Sequence, residues 1–444
     1  MLVTIVAADA GANDESATLR SWGRALTPDG IPDHTEDFPT PTGTLRLVDA
    51  LAAALEGSHL LAADAVEIRR REAQALQAGL LRNPVVALQA EDFAGPSQRK
   101  RLGYQQTTLS IAQIVELGGK RAARRRLAQR DRDLATWDYE ARRIAVLADT
   151  TKAFLVVLAL QERRALLGDL ERIAAEMKRS VASTVRAGAV SPVEEDRAAV
   201  HLDRVRLEVS QLEDELSAGR ALLAASWGQP QAEFDAVTGD LWALPPMPER
   251  EALLALADEN PELARWNAEI AEREAALAVQ RAARIPNVEV SLAGRHHPLG
   301  DAYGVVAGLS FSLPVFDRNQ GGVVAARHAL DHVRIDRRAR DASVRSAIVA
   351  SLEQFRIARR TVVVLRDQII PRAERVFERT RRGYATGLFR HVEVLDAQRT
   401  LFASRRELLD AALTLHFAAT DLERLTGTPL AEIEAAAPAE RIER

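Results

Sequence analysis

The feature that most restricts the fold is a long stretch without proline, between Pro96 and Pro192. From about residue 119 to residue 187 nothing forbids one continuous α-helix, which at 1.5 Å per residue would be on the order of 100 Å long. Helices of globular domains are far shorter. Apolar residues recur here at alternating spacings of three and four, as in a coiled-coil seam: Leu166, Leu170, Ile173 and Met177 before Pro192, and Leu202, Val205, Val209, Leu212 and Leu216 after it.

A second long helical stretch, from about residue 322 to residue 382, contains Pro371. Because proline removes a helical hydrogen bond and clashes with the preceding turn, a kink is expected there. Both long stretches are followed by a short glycine-containing break and then by another helical pattern, which predicts two helical hairpins. The expected breaks are at Gly188 and Pro192 in the first hairpin and at Gly383 and Gly387 in the second.

Four landmarks occur twice along the chain, in the same order. The partners are 199 to 202 residues apart: Pro84 with Pro286, Leu109 with Leu309, Gly188 with Gly387, and Pro230 with Pro429. This pattern indicates an internal duplication. We predict a first repeat at 45–230, a linker at 231–249, a second repeat at 250–430 and a tail at 431–444. Residues 1–44 are predicted to be an N-terminal segment and linker, whose start is either the end of an export signal or a short disordered terminus.

Each repeat also contains two stretches in which apolar residues alternate with small or polar ones. They lie near residues 84–93 and 104–115 in the first repeat, and near 286–295 and 303–314 in the second. In YGVVAGLSFSL, which begins at Tyr303, every second residue is apolar and most of the others are glycine or serine. A period of two predicts β-strands with one apolar face and one face of small or polar residues.

Four strands in a mainly helical chain raise the question of what they pair with. Strands of about ten residues can cross an outer-membrane bilayer when tilted. Four strands cannot close into a barrel, and an open edge in lipid leaves backbone groups unpaired at several kcal/mol each. If the strands lie in a membrane, several copies must share one barrel: two would give eight strands, and three would give twelve with room for a channel. Aromatic residues at the predicted strand ends fit interfacial girdles: Phe93, Tyr104, Tyr303 and Phe316.

Composition removes several classes of function. The net charge of −4 disfavours a nucleic-acid partner. The absence of cysteine excludes disulfides, thiolate zinc sites, thiol catalysis and a lipidated cysteine. No run of 18 apolar residues is present, so no membrane-spanning helix is expected. Because the GxSxG, GxGxxG, HExxH and Walker motifs are absent, we expect neither an enzyme nor a cofactor.

Three segments resemble the TolC-like outer-membrane efflux proteins: LSIAQIVELGGKRAARRRLA, LSFSLPVFDRNQGGVVAARHAL and YATGLFRHVEVLDAQRTL. The LGGKR and PVFDRNQG motifs are most similar to the outer-membrane component of cobalt, zinc and cadmium resistance pumps. The resemblance covers about residues 45–430. It implies an internally duplicated, mainly α-helical outer-membrane factor with a small β part. Very long coiled-coil helices would form an α-barrel tunnel, and four strands per chain would contribute to a shared transmembrane β-barrel.

The resemblance also implies a function and partners. The chain would be the exit duct of a tripartite efflux system in the outer membrane of a Gram-negative bacterium, with a periplasmic tunnel, and would export heavy-metal cations. It would be a homotrimer in contact with outer-membrane lipid. Its protein partners would be a periplasmic adaptor, or membrane fusion protein, and a proton-driven inner-membrane pump of the resistance-nodulation-division type.

In this family the periplasmic tips of the hairpins meet the adaptor. A small residue at a tight turn lets two hairpins approach end to end. The same glycines would end the helices of any hairpin. Carried onto this chain, the resemblance assigns partner binding to Arg186, Gly188, Ala189 and Ser191 in the first repeat, and to Thr386, Gly387, Leu388 and Phe389 in the second.

Several charged groups have less specific interpretations. The basic run at 120–132 either contacts lipid phosphate or is a solvated helix face. Two histidine pairs have a spacing that could clamp a metal, but neither has an evident third ligand, so no metal site is expected. These pairs are His328 and His332 near Asp331, and His296 and His297 near Asp301. The acidic run Glu194, Glu195 and Asp196 either attracts cations or favours a helix N-terminus.

Two other readings stay open. One is an outer-membrane duct for drugs or other solutes, since a polar, unselective wall does not identify its cargo. The other is a soluble coiled-coil scaffold or periplasmic adaptor whose four strands form a small packed sheet. Adaptors usually carry one helical hairpin, and two repeated hairpins favour the duct.

Overall fold

A computed structural model describes residues 40–91, 106–297 and 301–436 of the chain. The chain divides into two compact units. Of the described residues, the helical unit comprises 40–65, 139–261 and 341–436, and the sheet unit comprises those within 66–138 and 262–340. Phe93 and Tyr104, two of the residues expected at strand ends, lie outside the described residues, as do the segment before residue 40 and the tail after residue 436.

The described residues form ten α-helices and six β-strands. The helices are α1 (Leu47–Gly57), α2 (His59–Ala78), α3 (Lys120–Arg186), α4 (Pro192–Ala224), α5 (Arg250–Ala255), α6 (Pro261–Ala282), α7 (Gln320–Val364), α8 (Ile370–Ala385), α9 (His391–Thr426) and α10 (Leu430–Ala436). The strands are β1 (Gly43–Arg46), β2 (Val85–Glu91), β3 (Gln106–Val115), β4 (Phe234–Thr238), β5 (Val288–His297) and β6 (Ala302–Phe311).

The two long helical stretches differ in continuity. Helix α3 is unbroken over 67 residues, as the proline-free stretch predicts. The second stretch is divided, because a π-helical turn at Leu365–Ile369 separates α7 from α8. Pro371 is the second residue of α8, and its missing N–H falls just after this turn. The irregularity expected at the proline is therefore present as a widened turn that precedes it.

The helical unit contains a short parallel strand pair against its core. Strand β1 pairs with β4, from Gly43 opposite Phe234 to Arg46 opposite Thr238. The Gln161 side chain on α3 satisfies both backbone groups of Val237, donating to its carbonyl and accepting from its N–H, each at 2.8 Å. The largest fully buried side chains of this unit include Leu47, Leu51, Phe154, Leu223 and Phe355.

The sheet unit contains one four-stranded antiparallel sheet in the order β2-β3-β5-β6. The central pair joins the two halves of the sequence, with Thr107 opposite His296 and Val115 opposite Val288. Each outer pair is a local hairpin, β2 with β3 and β5 with β6. The sheet therefore consists of two similar hairpins placed edge to edge.

Two expectations about local structure were wrong. The described residues contain six strands and not four, because β1 and β4 are only four and five residues long, too short to show alternation. Strand β4 lies within the expected linker at 231–249, and β1 spans the expected boundary between the N-terminal segment and the first repeat. In addition, Gly383 does not break its helix: it is buried inside α8, which continues to Ala385.

The exclusion of a membrane-spanning helix was too strict. It relied on an unbroken apolar run, whereas α3 is long enough to cross a membrane and contains a predominantly apolar stretch of 18 residues. Among the described residues it is the one helix that passes this test of length and composition. Phe154, Leu155 and Val157 of α3 are fully buried, so its apolar residues also serve the protein core.

Candidate functional site

One face of the four-stranded sheet is apolar and exposed. The register places its side chains in rows across the strands, because residues directly opposite each other share a face. Val305 is 80% exposed, Leu88 72% and Leu309 68%, which is unusual for a contiguous apolar surface in a soluble chain. The rows are Leu88, Leu109, Gly294 and Val305; Val86, Ile111, Leu292 and Ala307; and Gln113, Val290 and Leu309.

The opposite face of the sheet carries small and polar residues. Its rows include Ala112, Ser291 and Gly308, and also Gln89, Thr108, Arg295 and Gly304. Arg295 donates to the Thr108 hydroxyl at 3.3 Å, and Ser110 donates to the Ala87 carbonyl at 3.3 Å. The sheet thus has one face suited to lipid and one suited to water.

Both edges of this sheet are open. Strand β2 pairs with β3 alone, and β6 with β5 alone, within the described parts of the chain. Unpaired edge groups favour pairing with a further strand. In a bilayer they require it, because lipid offers no hydrogen bonds.

The basic run that follows β3 is largely engaged within the sheet unit. Arg124 makes two hydrogen bonds to Glu116, at 2.5 and 2.9 Å, and these lower the pKa of the Glu116 carboxyl. Lys120 donates to the Asn287 side chain at 2.6 Å, and Arg121 to the Gly79 carbonyl at 2.5 Å. These pairs fix the start of α3 beside the strands, so a purely solvated helix face is an incomplete description.

The first hairpin turn connects α3 to α4. The Gly188 N–H donates to the Val185 carbonyl at 2.9 Å, and the Ala189 N–H to the Thr184 carbonyl at 3.0 Å, which is a Schellman motif. Gly188 has φ +70°, a left-handed conformation that favours glycine. The Ser191 hydroxyl caps α4 by accepting from the Val193 N–H at 3.4 Å.

The second hairpin turn connects α8 to α9 and has the same backbone bonds. The Gly387 N–H donates to the Tyr384 carbonyl at 3.1 Å, and the Leu388 N–H to the Gly383 carbonyl at 2.7 Å. Gly387 has φ +76°. The Phe389 ring lies against Gly383 so closely that a Cβ there would overlap it.

All eight residues predicted to bind a partner are in or beside these two turns, and all eight are exposed. Leu388 is 75% exposed, and the nearby Val193 and Val392 are each 54% exposed. Each turn therefore offers apolar surface next to a tight backbone bend. The structure brings the first turn and the second into one unit.

One contact between the two hairpins was not expected from the sequence. His391, at the start of α9, is buried and lies 3.4 Å from the Glu194 carboxylate on α4. Burial lowers the pKa of His391, and Glu194 partly opposes that shift. His391 occupies the same place after its turn as Pro192 after the first, and this correspondence does not indicate a contact with Glu194. Of the acidic run, Glu194 also pairs with Arg197 at 2.8 Å.

One histidine of each pair makes a local contact. His296 lies 2.9 Å from Asp301 and stacks on Tyr303, with ring centroids 4.7 Å apart. His332 lies 3.0 Å from Asp336 on the same helix. Within the described residues no group of three or more acidic or histidine side chains is positioned to hold a metal ion.

These features match one known family. Residues 50–229 and 253–428 match the family described as outer membrane efflux protein. The chain belongs to the outer membrane efflux protein family. The two matched segments correspond to the two halves that each supply a strand hairpin and a helical hairpin.

This outer membrane efflux protein has curated and structural relatives. It is 32% identical over 385 residues to the cobalt-zinc-cadmium resistance protein CzcC of Cupriavidus metallidurans, covering 87% of this chain and 90% of that protein. It is 27% identical to the nickel-cobalt-cadmium resistance protein NccC of Alcaligenes xylosoxydans xylosoxydans, covering 70% of this chain and 73% of that protein. The Campylobacter jejuni CmeC outer membrane channel has a TM-score of 0.72 at 15% identity, covering 88% of this chain and 90% of that chain.

The comparisons confirm several predictions. The fold class is that of a TolC-like channel with long helices and a small number of strands. The protein is an outer membrane efflux component, and its location is the outer membrane with a periplasmic tunnel. The matching family is described as outer membrane efflux protein, and the CmeC structure is that of an outer membrane channel.

Proposed function

We propose that three copies of this chain form the exit duct of a tripartite system that exports heavy-metal cations. A proton-driven inner-membrane pump of the resistance-nodulation-division type delivers the ions through a periplasmic adaptor. The names of the relatives support this cargo: CzcC is a cobalt-zinc-cadmium resistance protein and NccC a nickel-cobalt-cadmium resistance protein. The ions are cargo and not a resident cofactor.

The open, two-faced sheet is the observation that carries the proposal of a shared barrel. Four strands have two unpaired edges, and three copies would supply twelve strands. Twelve is enough to enclose a channel, whereas the eight strands of two copies would be filled by side chains. The apolar rows would then face lipid, and the row with Ser291 and Gly308 would face water.

Because the chain has no cysteine, single cysteines can test the two faces directly. Leu309 and Ser310 are neighbours on β6 and point to opposite faces. In outer membranes, Ser310→Cys should react with a charged, water-soluble thiol reagent, and Leu309→Cys only with a lipid-soluble maleimide. Equal reaction of both with the charged reagent would favour the soluble scaffold.

The assembly is tested on the same preparation. The duct should require detergent for extraction and run as a trimer on an unheated gel. Recovery of a soluble monomer would overturn the proposal, because a single copy leaves both sheet edges open.

The cargo needs a separate test. Deletion of the gene should lower tolerance to cobalt, zinc, cadmium or nickel, and the intact gene should restore it. Hydrophobic drugs serve as the comparison. Loss of drug tolerance with unchanged metal tolerance would assign the duct to organic solutes and leave the channel itself intact.

We further propose that the two hairpin turns dock the adaptor, one from each repeat of 45–230 and 250–430. The linker is proposed at 231–249. Support comes from the exposure of the turns and from the apolar residues beside them, Val193, Leu388 and Val392. Such a surface suits the end of another helical hairpin.

Crosslinking can test the docking site. Leu388→Cys carrying a benzophenone maleimide should crosslink to the adaptor in cells that express both proteins. Ser210→Cys, an exposed residue on α4, is the matched control. Crosslinking from both positions with equal yield, or from the control alone, would contradict docking at the turns.

A further inference from the structure

A cavity of about 300 Å³ lies between α3, α4 and α9, within the helical unit. Apolar side chains from all three helices line it: Leu166, Leu167, Leu170, Val205 and Phe402. This volume is at the lower end of the range for small-molecule sites. Neither the proposed cargo nor the sheet accounts for it.

Buried polar groups without partners line the same cavity. Gln398 is fully buried, and neither its amide nitrogen nor its amide oxygen has a hydrogen-bond partner in the described structure. The Nε2 atom of His201, which also lines the cavity, is buried and unpartnered. Because such groups are costly when left unsatisfied, they favour the binding of a polar partner at this place.

The charges around the cavity are predominantly positive. Arg204 and Arg399 lie at its exposed rim, and neither forms an ion pair with any described residue. Arg163 and Arg406 also line it, and each has an acidic neighbour: Arg163 is 3.3 Å from Glu215, and Arg406 is 4.0 Å from Asp410. Burial lowers the pKa of His201, and Arg399, His391 and Arg204 lower it further, consistent with their position near the cavity.

Glu208 restricts the charge of the ligand. It is the acidic member of the lining and would repel a dianion more strongly than a monoanion. The apolar lining residues offer no donors to the additional oxygens of a phosphate. They do offer contact to a hydrocarbon or aromatic body.

We propose that this cavity binds a small organic monocarboxylate. The carboxylate accepts hydrogen bonds from the Gln398 amide and the His201 imidazole and is neutralised by Arg204 and Arg399. Charge-assisted hydrogen bonds of this kind are about twice as strong as neutral ones. The apolar body packs against the wall that includes Leu170 and Phe402.

Calorimetric titration of the detergent-purified full chain tests the site, with benzoate as the probe. Benzoate should bind, and benzyl alcohol and inorganic phosphate should bind at least about ten-fold more weakly. The double variant Arg204→Gln/Arg399→Gln should lose about ten-fold or more in benzoate affinity. Arg375→Gln, at an exposed α8 arginine outside the cavity, should leave the affinity unchanged.

A second variant separates ligand binding from a structural role. Gln398→Leu removes the buried amide at similar volume, so the folded state should be retained while benzoate affinity falls. Absence of benzoate binding, unchanged affinity in the double variant, or phosphate binding as tight as benzoate would each overturn the proposal. Because the assay uses no metal, adaptor or pump, its failure would leave the proposed duct untouched.

Discussion

The two hairpin turns share one backbone but differ in the side chains that support it. In both turns a glycine has a left-handed backbone conformation, and the same two backbone hydrogen bonds close the turn. Equivalent residues of the two turns are 199 positions apart in the sequence. Thr184 in the first turn corresponds to Gly383 in the second, and Val190 to Phe389. The backbone bend is thus common to both repeats, while only the second turn has an aromatic ring packed into the space of a missing side chain.

This difference indicates that the backbone bend and the side-chain packing of the turns can be tested separately. The glycines set the bend, since a Cβ at Gly188 or Gly387 would meet no neighbouring atom but would be strained by its positive φ. The ring packing is confined to the second turn, and the buried His391 joins the start of α9 to Glu194 on α4. Substitutions at matched positions can therefore separate what the repeats share from what one of them has gained.

The largest effect is expected for Gly383→Ala. The added methyl overlaps the Phe389 ring, and overpacking of this kind costs about 1–3 kcal/mol. Unfolding followed by circular dichroism should show this loss. The cost should largely disappear in a Phe389→Ala background, which is a double-mutant cycle.

The matched control lies in the first turn. Thr184→Ala removes only a hydroxyl that donates to the Ser180 carbonyl of its own helix at 2.8 Å, so a change within about 0.5 kcal/mol is expected. Equal costs at both positions would mean that the ring contact does not stabilise the second turn.

The next largest effect is expected at the glycine with positive φ that each turn contains. Gly188→Ala and Gly387→Ala should each cost about 1 kcal/mol, because both residues have positive φ and open space around them. Asparagine at either position should cost less, since it tolerates the left-handed region. A clear difference between the stability losses of the two alanine variants would show that the two turns differ in backbone strain.

The sequence predicted the long helices and the sheet better than it predicted the contacts at the turns. The helical periodicity of a proline-free stretch and the alternation of apolar residues in a strand are local patterns, because they depend on residues that are close in the sequence. Gly383 was expected to break a helix, because a sequence does not show that Phe389 fills the space beside it. The contact between Glu194 and His391 joins residues 197 positions apart, and β1 pairs with β4 across a similar distance in the chain. Such contacts are specified by tertiary packing and not by local pattern.

A smaller difference is expected at the helix caps. Ser191→Ala removes a side-chain cap on α4 whose hydrogen bond is long, so a cost near 0.5 kcal/mol is expected. In the second turn the Arg390 N–H donates to the Glu393 carboxylate at 2.6 Å, so Arg390→Ala should cost less than Ser191→Ala. Unfolding curves of the two variants measure this order, and the reverse order would indicate that the Arg390 side chain itself supports the turn.

The smallest effect should be a sensitivity to acid that the second turn has and the first lacks. Burial holds the pKa of His391 below its ordinary value of 6.5, with Glu194 opposing that shift and Arg197 adding to it. The unfolded chain therefore takes up a proton at a higher pH than the folded chain, so stability is present above about pH 6.5 and is lost as pH falls through the lowered pKa.

His391→Gln should reduce the difference in unfolding midpoint between pH 7.5 and pH 5.0. His201 and His416 also have pKa values lowered by burial and should retain part of that difference in the variant. A midpoint difference unchanged by His391→Gln would show that the second turn opens no more readily in acid than the first, whose matching residue is Pro192.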